Sequence, residues 1–356
     1  MTPKRSVPLS LATLLATATL LTGCLAGEDG GAASGSGEGG TVRLDYAYYN
    51  VPSLVIREKG WLEEEFAADG VDVQWVLSEG SNKANENLRA DTIDIGSTAG
   101  TPALLARANG TPIQVVDVYS APEWSAIVVP EDSDIEGPED LEGRRIAATA
   151  GTDPYFFLLQ TLEEAGIDPD DITHVDLQHA DGRTALERGD VDAWAGLDPH
   201  MAQAELAGSR LVYRNPGFNS YGTLNAREDF IEAEPERLQT VLDTYERARR
   251  WVADNPDEAA QILADEAGIE LEVAERQLSE RTVVDNDPVP GEDQRATLER
   301  IVPFLVDNGL VASEDDARRA LETLLVPDFA EEAVRNVDEA DGAEGSDDAA
   351  DTEGGA

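Results

Sequence analysis

The sequence predicts an α/β fold of two similar lobes with mostly parallel sheets, and three observations predict it. Short β-branched runs alternate with helical periods from residue 41 to about residue 234. A weak internal echo sets Leu88-Arg89-Ala90-Asp91-Thr92-Ile93-Asp94-Ile95-Gly96 beside Leu186-Glu187-Arg188-Gly189-Asp190-Val191-Asp192-Ala193-Trp194, in one order of helix, turn and strand. Finally, Ser, Thr, Asn, Asp, Gly and Pro gather where a strand hands over to a helix, the places where an open parallel sheet holds its ligand.

At the N-terminus, Lys4 and Arg5 precede the apolar run Leu9 to Leu21, too short to span a bilayer and laid out as a signal peptide over residues 1–23. Leu21-Thr22-Gly23-Cys24 then resembles the lipobox of bacterial lipoproteins, which implies that Cys24, the only cysteine, becomes an acylated N-terminus. Residues 24–40, rich in Gly, Ser and Ala, suit a flexible tether. With one cysteine the exported domain has no internal disulfide and depends on its core, for which the chain is long enough.

Val42 to Ala47 alternates like a strand and leads through Pro52 into a helix ending at Lys59, with Gly60 as its stop. Val71 to Val76 is the next strand, followed by Ile93-Asp94-Ile95, Val115 to Val118 and Ala126 to Val129. Arg145 to Thr149 opens a second α/β unit that leads to the strand Asp192 to Ala195. From about Glu234 the pattern is helical, with Asp/Pro helix starts such as Asn255-Pro256-Asp257-Glu258. The acidic C-terminus, from Asp338 to Ala356 without a basic or aromatic residue, reads as disordered, and the tail is placed at 330–356.

Four junctions stand out: Ser78 to Lys83; Gly96 to Pro102, with Thr101 as N-cap and Pro102 at the first helical position; Thr149 to Tyr155; and Gly196 to His200. Helix N-termini there offer unpaired N–H groups and a positive dipole end, and hydroxyls and amides can bind an oxyanion without adding charge. Each such residue could equally cap its own helix.

Acidic residues number 73 against 26 Lys+Arg, a formal charge of -47, and the lysines are Lys4, Lys59 and Lys83 alone. Such a surface suits high salt, where the Debye length falls to about 3 Å at 1 M, so a halophilic source is expected. No basic stripe exists to neutralise phosphates, which excludes nucleic acid as a partner.

From about Leu44 to Arg227 the chain resembles the aliphatic-sulfonate, taurine and nitrate branch of periplasmic binding proteins, the sulfonate group most closely. The matching stretches are Tyr46 to Asn50, Glu79 to Ala84, Asp94 to Gly100, Pro122 to Ala126, Gly151 to Pro154, Gln178 to Gly182 and Asp192 to Pro199. The resemblance implies a type II periplasmic-binding-protein fold, with two α/β lobes joined by a two-crossing hinge. The crossings are expected near Pro130 and Pro216, giving lobe 1 as 41–129 and 217–329 and lobe 2 as 130–216. It further implies a monomeric lipoprotein on the extracytoplasmic face of the cell membrane that delivers a small anionic solute to an ABC permease, without a cofactor. Taurine, nitrate and a thiamine pyrimidine precursor are the alternative solutes.

Carried over by position, the ligand residues are Tyr48, Asn50, Ser81, Asn82, Ser97, Thr98 and Thr101, with Trp124 as an apolar wall and Gly151, Thr152, Asp153 and Asp198 from lobe 2. Tyr48 and Trp124 are by type equally core aromatics. A carboxylate beside a sulfonate is repulsive unless it caps a helix or receives an amine or hydroxyl. A taurine-like amine on Asp198 is therefore expected, with Asp198→Ala costing amino-sulfonates more than plain ones. His174, His179 and His200 form no compact metal-ligand cluster with cysteine or carboxylates. Enzymes of this fold depend on cysteines that this chain lacks, and no Gly-X-Ser-X-Gly elbow or phosphate loop is present, so no catalysis is expected.

Overall fold

The computed structural model describes residues 39–351, with side chains through residue 342; the leader, Cys24 and the tether up to residue 38 lie outside the described residues. The first half of the chain reads β1 (Thr41–Tyr46), α1 (Val51–Lys59), α2 (Trp61–Phe66), β2 (Asp72–Leu77), α3 (Ser81–Arg89), β3 (Ile95–Ala99), α4 (Gly100–Ala108) and β4 (Ile113–Ser120). Next come β5 (Ser125–Val129), β6 (Arg145–Ala148), α5 (Asp153–Ala165), β7 (Thr173–Asp176), α6 (His179–Arg188), β8 (Ala193–Leu197), α7 (His200–Leu206) and β9 (Arg210–Tyr213). The chain finishes with β10 (Gly222–Arg227), α8 (Glu228–Ala233), α9 (Pro235–Asp254), α10 (Pro256–Ala267), α11 (Leu271–Arg281), α12 (Glu292–Asp307), α13 (Glu314–Glu322) and α14 (Asp328–Asp351).

Two five-stranded sheets result, ordered β2-β1-β3-β10-β4 and β7-β6-β8-β5-β9. β10 is antiparallel to both β3 and β4, and β5 is antiparallel to both β8 and β9. Each sheet therefore carries one reversed strand among four that run together, and that strand is the one entered directly from the other sheet. This corrects the expected first crossing. β5 pairs within the second sheet, so the chain changes lobes at Ala121–Trp124 rather than near Pro130. The apolar runs of β4 and β5 lie only four residues apart, and sequence alone does not say that Pro122 separates two sheets instead of two neighbours. The second connection between the sheets runs from Tyr213 to Gly222 and contains Pro216.

The internal echo is a structural repeat. Asp94 accepts from Arg43 N (2.9 Å) and Nε (3.1 Å) at the start of β1, and Asp192 accepts from Arg145 N (2.8 Å) and Nε (3.2 Å) at the start of β6. In both copies the guanidinium also reaches the carbonyl of an aspartate in the preceding turn, Asp91 or Asp190.

Local signals explain several boundaries. α1 has Asn50 at its cap, and, as the sequence predicts, Pro52 in its first turn and Gly60 in the left-handed conformation (φ 67°) that ends it. β3 lies further along than the expected Ile93–Ile95 and takes up Gly96, Ser97, Thr98 and Ala99. It is wholly buried, and small residues suit it: a Cβ on Gly96 would come within 2.9 Å of Ile93 and 3.2 Å of Leu88. α4 correspondingly starts at Gly100 with Ala99 at its cap, so Thr101 is not the N-cap it was expected to be.

The main core lies between the first sheet and helices α1, α9 and α10, with Leu44, Leu54, Leu224, Leu242, Tyr245 and Leu263 buried. Two further clusters hold the second sheet, one around Ile127, Phe157 and Leu162 and the other around Val128, Trp194 and Met201. Phe156 of α5 packs with Leu104, Leu298 and Val302, an apolar contact that joins the lobes. The tail expected to be disordered from 330 is instead the helix α14 through Asp351. Ala330 and Ala333 are buried, Phe329 packs on the main core, and Arg250 of α9 holds Asp338 (2.8 Å) and Asp341 (3.1 Å). Through residue 342 its acids lie on the exposed side, and a few apolar residues in the first turns anchor it. Among the described residues no helix is long and apolar enough to cross a membrane.

Candidate ligand-binding site

The parallel strands of both sheets end toward one crevice, so the segments after β1, β2, β3, β4, β6, β7 and β8 meet there with the residues before β10. A chain of contacts proves the meeting. Tyr49 O–H donates to Ser97 O (3.0 Å), and its ring meets Trp124 edge-on at 5.9 Å. Ala99 N donates to Ser81 Oγ (3.0 Å), and Thr101 N donates to Ser220 Oγ (2.8 Å).

Asp153 ties the crossings to lobe 2. Its Oδ2 accepts from Trp124 Nε1 (3.0 Å) and Ser220 N (2.9 Å), and its Oδ1 accepts from Ser220 Oγ (2.6 Å). Burial pushes this carboxyl up to about 6 even though these donors favour the charged form. Trp124 and Asp153, expected to wall and close on the ligand, are thus spent on each other and on Ser220.

Asp198 is spent as well. Its Oδ2 accepts from Arg281 Nε (2.7 Å), while its Oδ1 accepts from Arg281 Nη2 (3.2 Å) and Ala202 N (3.0 Å) in the first turn of α7. Arg281 also reaches Glu205 Oε2 (2.6 Å), and the side chains of Arg281 and Asp198 are 1% and 2% exposed. The expectation that Asp198 receives an amine from the ligand is corrected accordingly: its neighbours are a guanidinium and a helix end. Arg281 sits at the end of α11, far along the sequence, where no local signal pairs it with Asp198.

Several other expected contacts are structural. Asn50 accepts from Ser53 N (3.3 Å) at the start of α1 and donates to Tyr245 O–H (3.3 Å). Ser97 donates through N (2.8 Å) and Oγ (3.0 Å) to Asp45 Oδ1, whose carboxyl burial pushes up to about 7. Thr98 Oγ1 donates to Ala99 O (2.8 Å) and accepts from Asn225 Nδ2 (2.8 Å). Thr152 Oγ1 donates to Thr149 O (2.7 Å), closing its own turn. Tyr48 is half-buried against the main core, and its carbonyl accepts from Gln277 Nε2 (3.0 Å).

The residues with capacity to spare lie on either side of the cleft mouth. Ser81 Oγ accepts from Ala99 N and keeps its own proton for an acceptor. Ser81 and Asn82 open α3 and Asp153 opens α5, where the first backbone N–H groups precede the helical ladder. Gly151 (φ 75°) brings lobe 2 close to Asn82: a Cβ on it would stand 3.8 Å from Asn82 Cβ. His179, absent from the expected ligand set, faces the same place. It is 2% exposed, and burial pushes it down to about 3, so the ring is neutral. The loops directly after β1, β2, β4, β6, β7 and β8 carry no lysine or arginine, and the cations nearby are paired with carboxylates, Lys83 with Glu86, Arg214 with Glu123 and Arg281 with Asp198 and Glu205, so an anion here meets N–H and O–H donors first. A separate cavity of about 400 Å³ behind the crossings, lined by Glu123, Asn219, Tyr221 and Arg300, includes none of the expected ligand residues.

Comparisons with known proteins match this architecture. The family model described as NMT1/THI5 like matches residues 48–259. A protein of Bacillus subtilis (strain 168) named for binding aliphatic sulfonates is 26% identical over 323 residues, covering 88% of this chain and 96% of that protein. One of Escherichia coli (strain K12) with the same name is 28% identical over 283 residues, covering 79% of this chain and 88% of its own. The solved structure of the alkanesulfonate-binding protein SsuA from Xanthomonas axonopodis pv. citri bound to MOPS superposes with a TM-score of 0.71 at 26% identity, over 79% of this chain and 97% of that one.

Proposed function

Because the chain belongs to the NMT1/THI5-like family, whose match runs through both sheets, we propose that it is the solute-binding component of an ABC importer and captures an aliphatic sulfonate between its lobes. The observation that carries this reading is the crevice itself: the start of α3 and the turn before α5 come together across the lobes at Asn82 and Gly151, Ser81 keeps a hydroxyl proton to give, and the nearby cations Lys83, Arg214 and Arg281 are each paired with a carboxylate. A sulfonate keeps its charge at any physiological pH, and oriented N–H and O–H dipoles suffice to hold it. The names of the relatives point the same way.

The protein works outside the cytoplasm, attached to the cell membrane through acylated Cys24, as a monomer that docks on its permease. Cys24→Ala should abolish fatty-acid labelling and release the protein from membranes; retention by the membrane would refute the anchor. The ligand is tested by thermal unfolding of the leaderless chain in high salt against alkanesulfonates, taurine, nitrate, sulfate and a hydroxymethylpyrimidine. A ligand present at a hundredfold excess over its dissociation constant stabilises the folded state by about 2.7 kcal/mol. Stabilisation by sulfonates alone is expected. A shift with another member of the panel and none with sulfonates overturns the sulfonate reading, and turnover of a bound sulfonate overturns the binding-protein reading.

A further inference from the structure

The lobes approach each other around Gly80, and the atoms facing that point are hydrogen-bond acceptors. A Cβ built on Gly80 would stand 2.9 Å from Asn82 Oδ1 of its own lobe and 3.0 Å from His179 Nε2 of the other. Both atoms are buried without a protein partner, as is Oδ1's neighbour in kind, Gln178 Oε1, one residue before His179.

The role of His179 Nε2 is fixed by its surroundings. Thr149 Oγ1 gives its proton to Leu177 O (2.7 Å), so at 3.2 Å from His179 Nδ1 it acts as acceptor and Nδ1 carries the hydrogen. With the ring neutral, Nε2 presents a lone pair. The Asn82 amide can turn end for end; the imidazole cannot change its role without losing its bond to Thr149. A buried acceptor of this kind favours a ligand that brings a donor.

We infer that the solute is a hydroxylated alkanesulfonate, whose hydroxyl donates to His179 Nε2 when the lobes close and whose sulfonate faces the starts of α3 and α5. The inference rests on the sulfonate reading above and narrows it. A hydroxyl fits better than an ammonium because the acceptors are neutral and the nearby carboxylates are occupied: Asp153 by Trp124 and Ser220, Asp198 by Arg281 and Ala202. Glu79, beside Gly80, is exposed to water. Burying an ammonium against neutral acceptors alone costs more than burying a hydroxyl.

The test is calorimetric titration of the leaderless protein with ethanesulfonate, hydroxyethanesulfonate and aminoethanesulfonate, repeated on His179→Leu and His179→Gln. Hydroxyethanesulfonate should bind the native protein about tenfold more tightly than ethanesulfonate, the factor that about 1.4 kcal/mol from one hydrogen bond supplies. His179→Leu should bring the two within about threefold, whatever it does to both affinities together, and His179→Gln, which retains an acceptor, should restore part of the preference. Equal binding of all three by the native protein, tightest binding of aminoethanesulfonate, or an unchanged ratio in His179→Leu overturns the inference and leaves the sulfonate reading standing. Failure of every sulfonate to bind folded protein overturns both.

Discussion

Asp117 sits on β4, 2% exposed, with Oδ1 buried and unpartnered, beneath Glu246 and Arg249 of α9. Burial pushes its carboxyl up to about 8; Arg249 opposes that and Glu246 adds to it. The unfolded chain releases this proton near the ordinary carboxylate value, so between the two values the folded state holds the extra proton and stability falls as pH rises. Asp117→Asn removes the titration. Relative to the native protein, the variant should gain at least about 1 kcal/mol between about pH 5 and about pH 9, read from urea unfolding at each pH. A constant difference would show that Asp117 ionises alike in both states. Asp198 calls for the opposite substitution logic, since its charge is paired. Removing it leaves Arg281 buried with Glu205 as its carboxylate partner, so Asp198→Ala should cost about 3–5 kcal/mol of folding stability. Because that carboxylate touches Arg281 and α7, the affinity ratio between amino-substituted and plain sulfonates should be unchanged, measured by titration at a temperature where the variant is folded.

Among the elements, α14 shows what composition conceals. Its acids through Asp341 face Arg250 of α9 and solvent, while Phe329, Ala330 and Ala333 hold its first turns on the core. Ending the chain after residue 337 removes Asp338 and Asp341 from Arg250, exposed pairs of small worth, and should lower stability by less than about 1 kcal/mol. Ending it after Pro327 also strips the apolar anchor and should cost about 2–5 kcal/mol in the same denaturation assay. An element whose reasons are local, α1 with Pro52 in its first turn and Gly60 as its stop, was legible in the sequence, whereas the Arg43–Asp94 and Arg145–Asp192 pairs behind the echo join residues 51 and 47 positions apart. What decided β5's sheet was pairing with β8 and β9, some seventy and eighty residues away, and nothing in Ser125–Val129 encodes it. The candidate site divides the same way. Junction chemistry pointed to segments that meet at the crevice, but Ser97 proved to be bonded to Asp45, Thr98 to Asn225, Trp124 to Asp153, Asp153 to Ser220 and Asp198 to Arg281, partners distant in sequence. His179 stood within a stretch that carries the resemblance but had no role until Gly80 of the other lobe was seen to face it.

Across the whole molecule the charge of -47 sets a balance between fixed pairs and diffuse repulsion. Arginines take carboxylate partners throughout: Arg57 with Glu266, Arg145 with Asp192, Arg214 with Glu123, Arg249 and Arg250 with Glu246. Even so, acids outnumber bases nearly threefold, so most carboxylates face one another across water, and their repulsion is of long range at low ionic strength. Salt screens that repulsion, with a Debye length of about 30 Å at 0.01 M and about 3 Å at 1 M, but scarcely touches a buried pair such as Arg281 with Asp198. The unfolding midpoint should therefore climb steeply over the first few tenths molar of a monovalent salt and then flatten. Ligand affinity should follow the same course: the acidic surface repels a sulfonate at a distance, whereas the neutral donors of the crevice act at contact and are not screened. Titrations at rising salt should show the dissociation constant falling first through the association rate. A sulfonate affinity that instead weakens steadily with salt would mean that a formal cation holds the anion, against a crevice whose nearby cations Lys83, Arg214 and Arg281 are taken up by carboxylates.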